Sequence, residues 1–160
     1  MGRIIIETLI HAPIDRCFDI SRSVDLHVKS TASTSEKAIA GVTTGLMGFQ
    51  DVVTWQARHF GIVQTLSTKI VAYDRPKHFR DSQIQGVFKR FDHDHFFDSI
   101  GDDTLMKDIF DFTCPLGVLG SLADFVVKRH LEHFLRARNQ EIKRVAESED
   151  WQLFINPITS

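Results

Sequence analysis

Residues Phe88 to Thr113 read FKRFDHDHFFDSIGDDTLMKDIFDFT. On both sides of Gly101-Asp102-Asp103 the side chains alternate with a period of two, the pattern of β-strands that turn one face inward. The break is so short that Phe88–Ile100 and Thr104–Thr113 must be antiparallel neighbours. In the first strand Phe91, His93, His95 and Phe97 share a face, and the aspartates look the other way. In the second, Met106, Asp108, Phe110 and Phe112 form a face that is apolar apart from one carboxylate.

The same texture extends upstream. Gly61, Asp74-Arg75-Pro76 and Gly86 separate four further β segments, Glu36–Ala40, Phe49–His59, Ile62–Tyr73 and His78–Gln85. Arg3–His11 is rich in β-branched residues and reads as another strand. Pro13 suits the first turn of a helix that carries Ile14, Cys17 and Phe18 to about Ile20, and Ser23 can cap a second short helix. After Thr113 the period changes. Leu119, Ala123, Val127, Leu131, Leu135, Ile142 and Val145 recur at helical spacing and predict one long helix ending near Ala146. Only the sheet is large enough to cover its apolar stripe. The expected fold is α+β, a curved antiparallel seven-stranded sheet wrapped around a long C-terminal helix.

The chain has 160 residues, a length suited to a single domain spanning 1–160. Thirteen phenylalanines against one tyrosine suit a large core or the wall of an apolar cavity. With 19 basic against 21 acidic residues there is no broad attraction to nucleic acid or to anionic lipid. The three isoleucines near the start are too few for a signal segment or a membrane span. Cys17 and Cys114, far apart and outside any CxxC, fit buried thiols in a reducing cytoplasm. The tail residues Trp151, Leu153 and Phe154 are expected to fold back onto the surface or onto a partner subunit, which keeps a homodimer open. The basic residues Lys128, Arg129, His130, Arg136, Arg138, Lys143 and Arg144 are interspersed with glutamates and read as a solvated helix face.

A bent sheet that grips a helix leaves room for a small molecule between the two. Trp55, Phe91, Phe97, Met106, Phe110 and Phe112 are the expected apolar contacts of such a guest. His59, His93, His95, Asp81 and Asp108 are the candidates for orienting a polar group. Three readings of the histidines compete. A metal would need His93 and His95 plus a third ligand such as His59, Asp81 or Asp108. Acid–base catalysis would use a neutral histidine oriented by a carboxylate. The favoured reading is that the histidines bond to Asp81, Asp108 or backbone and line a wall. No Gly-x-Ser-x-Gly or P-loop pattern occurs, and Gly45-Leu-Met-Gly48 lacks the third glycine of a dinucleotide loop. No cofactor and no metal are expected.

Four stretches, Trp55-Gln-Ala-Arg-His-Phe-Gly61, His93-Asp-His-Phe-Phe97, Thr104-Leu-Met-Lys-Asp108 and Pro115-Leu-Gly117, resemble those of small bacterial ligand-binding proteins of the START-related, helix-grip (SRPBCC) superfamily. The opening His11-Ala-Pro-Ile-Asp15 is similar to the superfamily's strand-to-helix entry. The resemblance covers the chain to about Glu147 and implies the helix-grip fold. It also implies binding of a small hydrophobic molecule such as a lipid, polyketide or aromatic compound. Some members of the superfamily are polyketide cyclases, so a cyclase, dehydratase or isomerase with a cavity histidine is the alternative. A regulatory interaction protein without ligand is the third.

Overall fold

The computed structural model describes residues 1–32, 35–114 and 120–155, with the backbone alone over 120–124. Strand β1 (Gly2–Ile10) leads into helices α1 (Ile14–Ser21) and α2 (Val24–Ser30). Strands β2 (Lys37–Gly41), β3 (Val52–His59), β4 (Ile62–Asp74), β5 (His78–Gln85), β6 (Arg90–Ile100) and β7 (Asp103–Thr113) follow. Helix α3 (Gly120–Ala146), a turn of 3-10 helix and the short α4 (Gln152–Ile155) complete the described chain. The seven strands form one antiparallel sheet in the order β1-β7-β6-β5-β4-β3-β2.

The hairpin read from Phe88–Thr113 is present as β6 and β7, with Phe91 opposite Phe112, His93 opposite Phe110 and His95 opposite Asp108. Strict alternation of burial along β7 follows from its position between β1 and β6, where one face is covered and the other is not. Ser23 caps α2 by accepting a hydrogen bond from the Leu26 N–H, as its position ahead of Asp25 predicts. Strand β3 starts at Val52, later than the expected Phe49. Gln50 takes a φ of 71° and Gly48–Asp51 closes a turn, so regular pairing starts at Val52 although Gln50 and Asp51 still bond to Ile70 of β4. In β4 a register shift between Ile70 and Ala72 leaves Val71 without a cross-strand partner beside Asp81 on β5. Such bulges re-aim the neighbouring side chains.

The α3 helix, about 40 Å long at 1.5 Å per residue, lies against β1, α1 and α2. Leu135, Ile142, Val145 and Ala146 are buried, whereas Phe125 and Val126 near its start are exposed. Two apolar clusters result. One gathers Phe18, Phe79, Phe97, Met106, Ile142 and Val145; the other packs Phe110, Phe112, Ile4 and Ile6 against Leu135. Trp151 and Phe154 fold back against the first cluster, with the Arg16 guanidinium over the Trp151 ring at 4.5 Å. Leu153 does not join them. It is 65% exposed, because Trp151, Phe154 and Ile155 at i, i+3 and i+4 share the inward face and Leu153 at i+2 falls on the other. The Pro115-Leu-Gly117 motif and Leu119 lie outside the described residues. No helix among the described residues is long and apolar enough to cross a membrane.

Candidate functional site

Between the concave face of the sheet and α3 lies a cavity of about 340 Å³. Its floor comes from β3, β4, β5, β6 and Phe110 of β7, one side from α1, α2 and the segment between them, and its roof from Val127, His130, Leu131, Phe134, Leu135 and Arg138 of α3. The lining is mostly apolar, with polar groups gathered at separate places.

The largest polar group sits on the three adjacent strands β5, β6 and β7. Register places Asp81 directly opposite His93, and His95 directly opposite Asp108. His93 Nε2 lies 2.8 Å from Asp108 Oδ1, and His95 Nε2 lies 3.1 Å from Asp81 Oδ2. His95 Nδ1 is 3.0 Å from the same Asp108 oxygen but without hydrogen-bond alignment, so that contact is one of charge alone. The rings are pinned by aromatic packing: His95 stacks on Phe79 at 4.1 Å between centroids, and the His93 ring lies 3.8 Å from that of His95. Helix α3 closes the network from above. Asn139 Nδ2 donates to Asp108 Oδ2 at 2.7 Å, and Arg138 reaches Asp108 Oδ1 at 3.5 Å and the Ser21 carbonyl at 3.2 Å.

Burial acts on every member of this group, and the partners decide the sign. His93 is pushed down to about 4 by burial and by the adjacent His95, against the pull of Asp108, so it is neutral. His95 is also penalised by burial, but Asp108 and Asp81 outweigh that and raise it, favouring the imidazolium. Burial would raise Asp108, yet the two histidines hold it well below the usual carboxylate range. Two carboxylates, one imidazolium and Arg138 therefore balance in charge, which is how a buried polar cluster escapes its desolvation cost.

A second pair lies nearer the hairpin joining β3 to β4. His59 Nδ1 and His130 Nε2 are 3.0 Å apart, and burial lowers both imidazoles. Beside it Phe60 and Val87 line the cavity yet remain 57% and 36% exposed, which marks an opening to solvent there. A third pair, His27 with Glu36 at 3.2 Å, is covered by Trp55, whose ring lies 4.2 Å from that of His27.

No protein-family model matches this sequence, and no curated protein matches it. Solved structures do match. A START superfamily protein from Mycobacterium smegmatis superposes with a TM-score of 0.68 at 13% identity, over 89% of this chain and 98% of the other. This chain has the START-type helix-grip fold. An aromatase/cyclase from Streptomyces sp. R1128 gives 0.68 at 15% identity, covering 92% and 97% of the two chains, and ginseng major latex-like protein 151 from Panax ginseng gives 0.66 at 17%, covering 92% and 98%.

Within this helix-grip cavity, Trp55, His59, Asp81, Phe91, His93, His95 and Phe110 all line the wall. Phe97, Met106, Asp108 and Phe112 do not. Phe97 and Met106 are 1% and 0% exposed within the first apolar cluster, where the sheet is already covered by α1. Phe112 lies over Gly2, at which any added Cβ would meet the ring at 2.3 Å, and Asp108 stands behind the histidines as their partner. His59 is separated from the His93–His95 pair and bonds to His130 instead. Cys17 is buried, but Cys114 is only half-buried and borders the cavity.

Two residues expected on the solvated face of the last helix are part of the site. Arg138 is 4% exposed, and His130 lines the cavity. The signal was in the sequence: position 138 is one or two helical turns from Leu131, Leu135 and Ile142, so Arg138 falls on the apolar stripe. A charge on that stripe needs a buried counter-charge, and Asp108 supplies it.

Proposed function

We propose that this chain binds a small, largely apolar molecule in the cavity between sheet and α3, with a polar group of the guest turned toward Asp81, His93 and His95. The observation that carries the reading is the 340 Å³ cavity itself, apolar over most of its wall with a few convergent polar side chains. Burying about 300 Å² of apolar guest surface would contribute roughly 7 kcal/mol at 25 cal/mol per Å² before association costs. A micromolar complex needs about 8 kcal/mol net, so the polar contacts to Asp81, His93 and His95 must supply the remainder. Native mass spectrometry of freshly purified protein, together with titration by the fluorescent probe anilinonaphthalene sulfonate, tests the proposal. A co-purified molecule or a saturable one-to-one probe site supports it, and protein that takes up neither overturns it.

A second reading is an enzyme of the cyclase, dehydratase or isomerase kind. It is favoured by His93, an imidazole facing an apolar cavity while Asp108 holds its far side, the arrangement that acid–base work requires. Replacing both His93 and His95 by Gln distinguishes the two readings. A binding protein changes affinity only, whereas an enzyme retains its guest and loses turnover.

A further inference from the structure

We propose that Asp81, His93 and His95 bind a divalent transition-metal ion facing the cavity, with Asp108 orienting the His93 imidazole from behind. One donor atom from each of the three residues can be chosen so that all lie within 4.8 Å of one another. The edges that can be measured are shorter. His95 Nε2 and His93 Nδ1 lie 3.1 Å and 3.9 Å from Asp81 Oδ2. An ion with bonds of about 2.05 Å separates tetrahedral ligands by about 3.3 Å, so both edges to Asp81 suit an ion with sub-ångström adjustment.

The hydrogen bonding supports the same conclusion. His93 donates its Nε2–H to Asp108, which leaves the Nδ1 lone pair turned toward Asp81. Two electron-pair donors thus face each other across a gap that a cation would bridge. The carboxylate behind a ligating imidazole is the usual outer partner of a metal site, fixing tautomer and ring direction. Here Asp108 does so for His93 and lies 3.0 Å from His95 Nδ1, and Asn139 and Arg138 hold it in turn.

The strands also supply rigidity. All four residues lie on the neighbouring strands β5, β6 and β7 in direct or diagonal register, so the donors are placed by the ladder. Two nitrogens and one carboxylate oxygen select zinc, iron(II), cobalt(II) or manganese(II) over magnesium or calcium, which prefer oxygen donors only. Asp81, His93 and His95 all line the cavity. The remaining coordination positions therefore open toward the guest volume and would take water or an oxygen atom of a guest. With Asp81 and Asp108 negative and Arg138 positive, a divalent ion leaves one net positive charge, which favours a guest carrying an anionic oxygen. The inference does not depend on the apolar guest: protein that fails to bind anilinonaphthalene sulfonate can still bind metal.

The test is titration of chelator-stripped full-length protein with cobalt(II), read by its visible absorption bands, with metal content of the zinc-loaded protein measured by mass spectrometry. About one equivalent is expected to bind, with Asp108→Asn weakening affinity roughly 10- to 100-fold and Asp81→Asn, His93→Gln and His95→Gln each abolishing the bands. His11→Gln, a change at an exposed histidine, should leave them unchanged. Wild-type protein that takes up well under one equivalent, or bands lost with His11→Gln and kept in the three ligand variants, overturns the proposal. Should those variants not fold, the wild type decides by itself. Copper(II)-loaded protein must then show electron spin echo modulation from two imidazole nitrogens, and one or none overturns it.

Discussion

Asn139 donates its Nδ2 hydrogen to Asp108 Oδ2 at 2.7 Å, and this bond ties the long helix to the centre of the sheet. The same carboxylate, 1% exposed, also holds His93 and faces Arg138. One side chain thus joins the roof of the cavity to the polar end of its floor.

Removing that carboxylate should be costly out of proportion to its size. Asp108→Leu leaves Arg138 buried with its counter-charge gone and is expected to destabilise the fold by about 3–5 kcal/mol. Adding Arg138→Met should restore a large part of the loss, because two apolar side chains can replace a buried pair. Urea denaturation of the single and double variants measures this, and simple addition of the two losses would refute it.

Phe97 and Phe91 stand six positions apart on one face of β6 but do different things. Phe97→Ala empties a filled core and should cost about 3–5 kcal/mol. Phe91 borders the cavity, so much of its ring has no packing to lose, and Phe91→Ala should cost nearer 1–2 kcal/mol. Only the latter should change probe affinity. Thermal melts with anilinonaphthalene sulfonate titrations on both variants decide it.

Filling the cavity should separate stability from binding. Ala57, buried on β3, points its small side chain into the space. Ala57→Trp is expected to remove probe binding while costing no more than about 1–3 kcal/mol of strain, since the ring has an existing void to occupy. Probe binding that survives intact would place it elsewhere on the molecule.

Asp19 sets an acid limb of stability. Burial would raise its carboxyl, but hydrogen bonds from Arg75 and Arg22, each 2.7 Å at the shortest, hold it below the ordinary value of 3.8. A carboxyl depressed in the folded state is protonated first in the unfolded chain, so its contribution is complete above the unfolded value and is lost as pH falls through the folded one. The gap between wild type and Asp19→Asn, about 1–3 kcal/mol near neutrality, should hold down to about pH 5 and shrink below about pH 4. Denaturation at stepped pH measures it, and a gap independent of pH would refute the assignment.

The sequence alone determined the strands, their order along the chain and the face on which His93 and His95 lie, because those depend on local alternation and on turns too short for anything but hairpins. The spacing that puts Arg138 on the apolar stripe of α3 was present too, but its basic neighbourhood reads as a solvated face, and the tertiary structure corrects that. Tertiary structure alone decided which of those inward residues see a cavity and which are packed solid. Met106 and Phe110 are equally inward on β7, yet Met106 lies in the packed core and only Phe110 reaches open space. It likewise decided that Asp81, on another strand, meets both histidines, whereas His59 meets His130. Period-2 alternation fixes a side of the sheet, but the distance between side chains on different strands depends on register, curvature and the path of the helix, none of which is a local property of the chain.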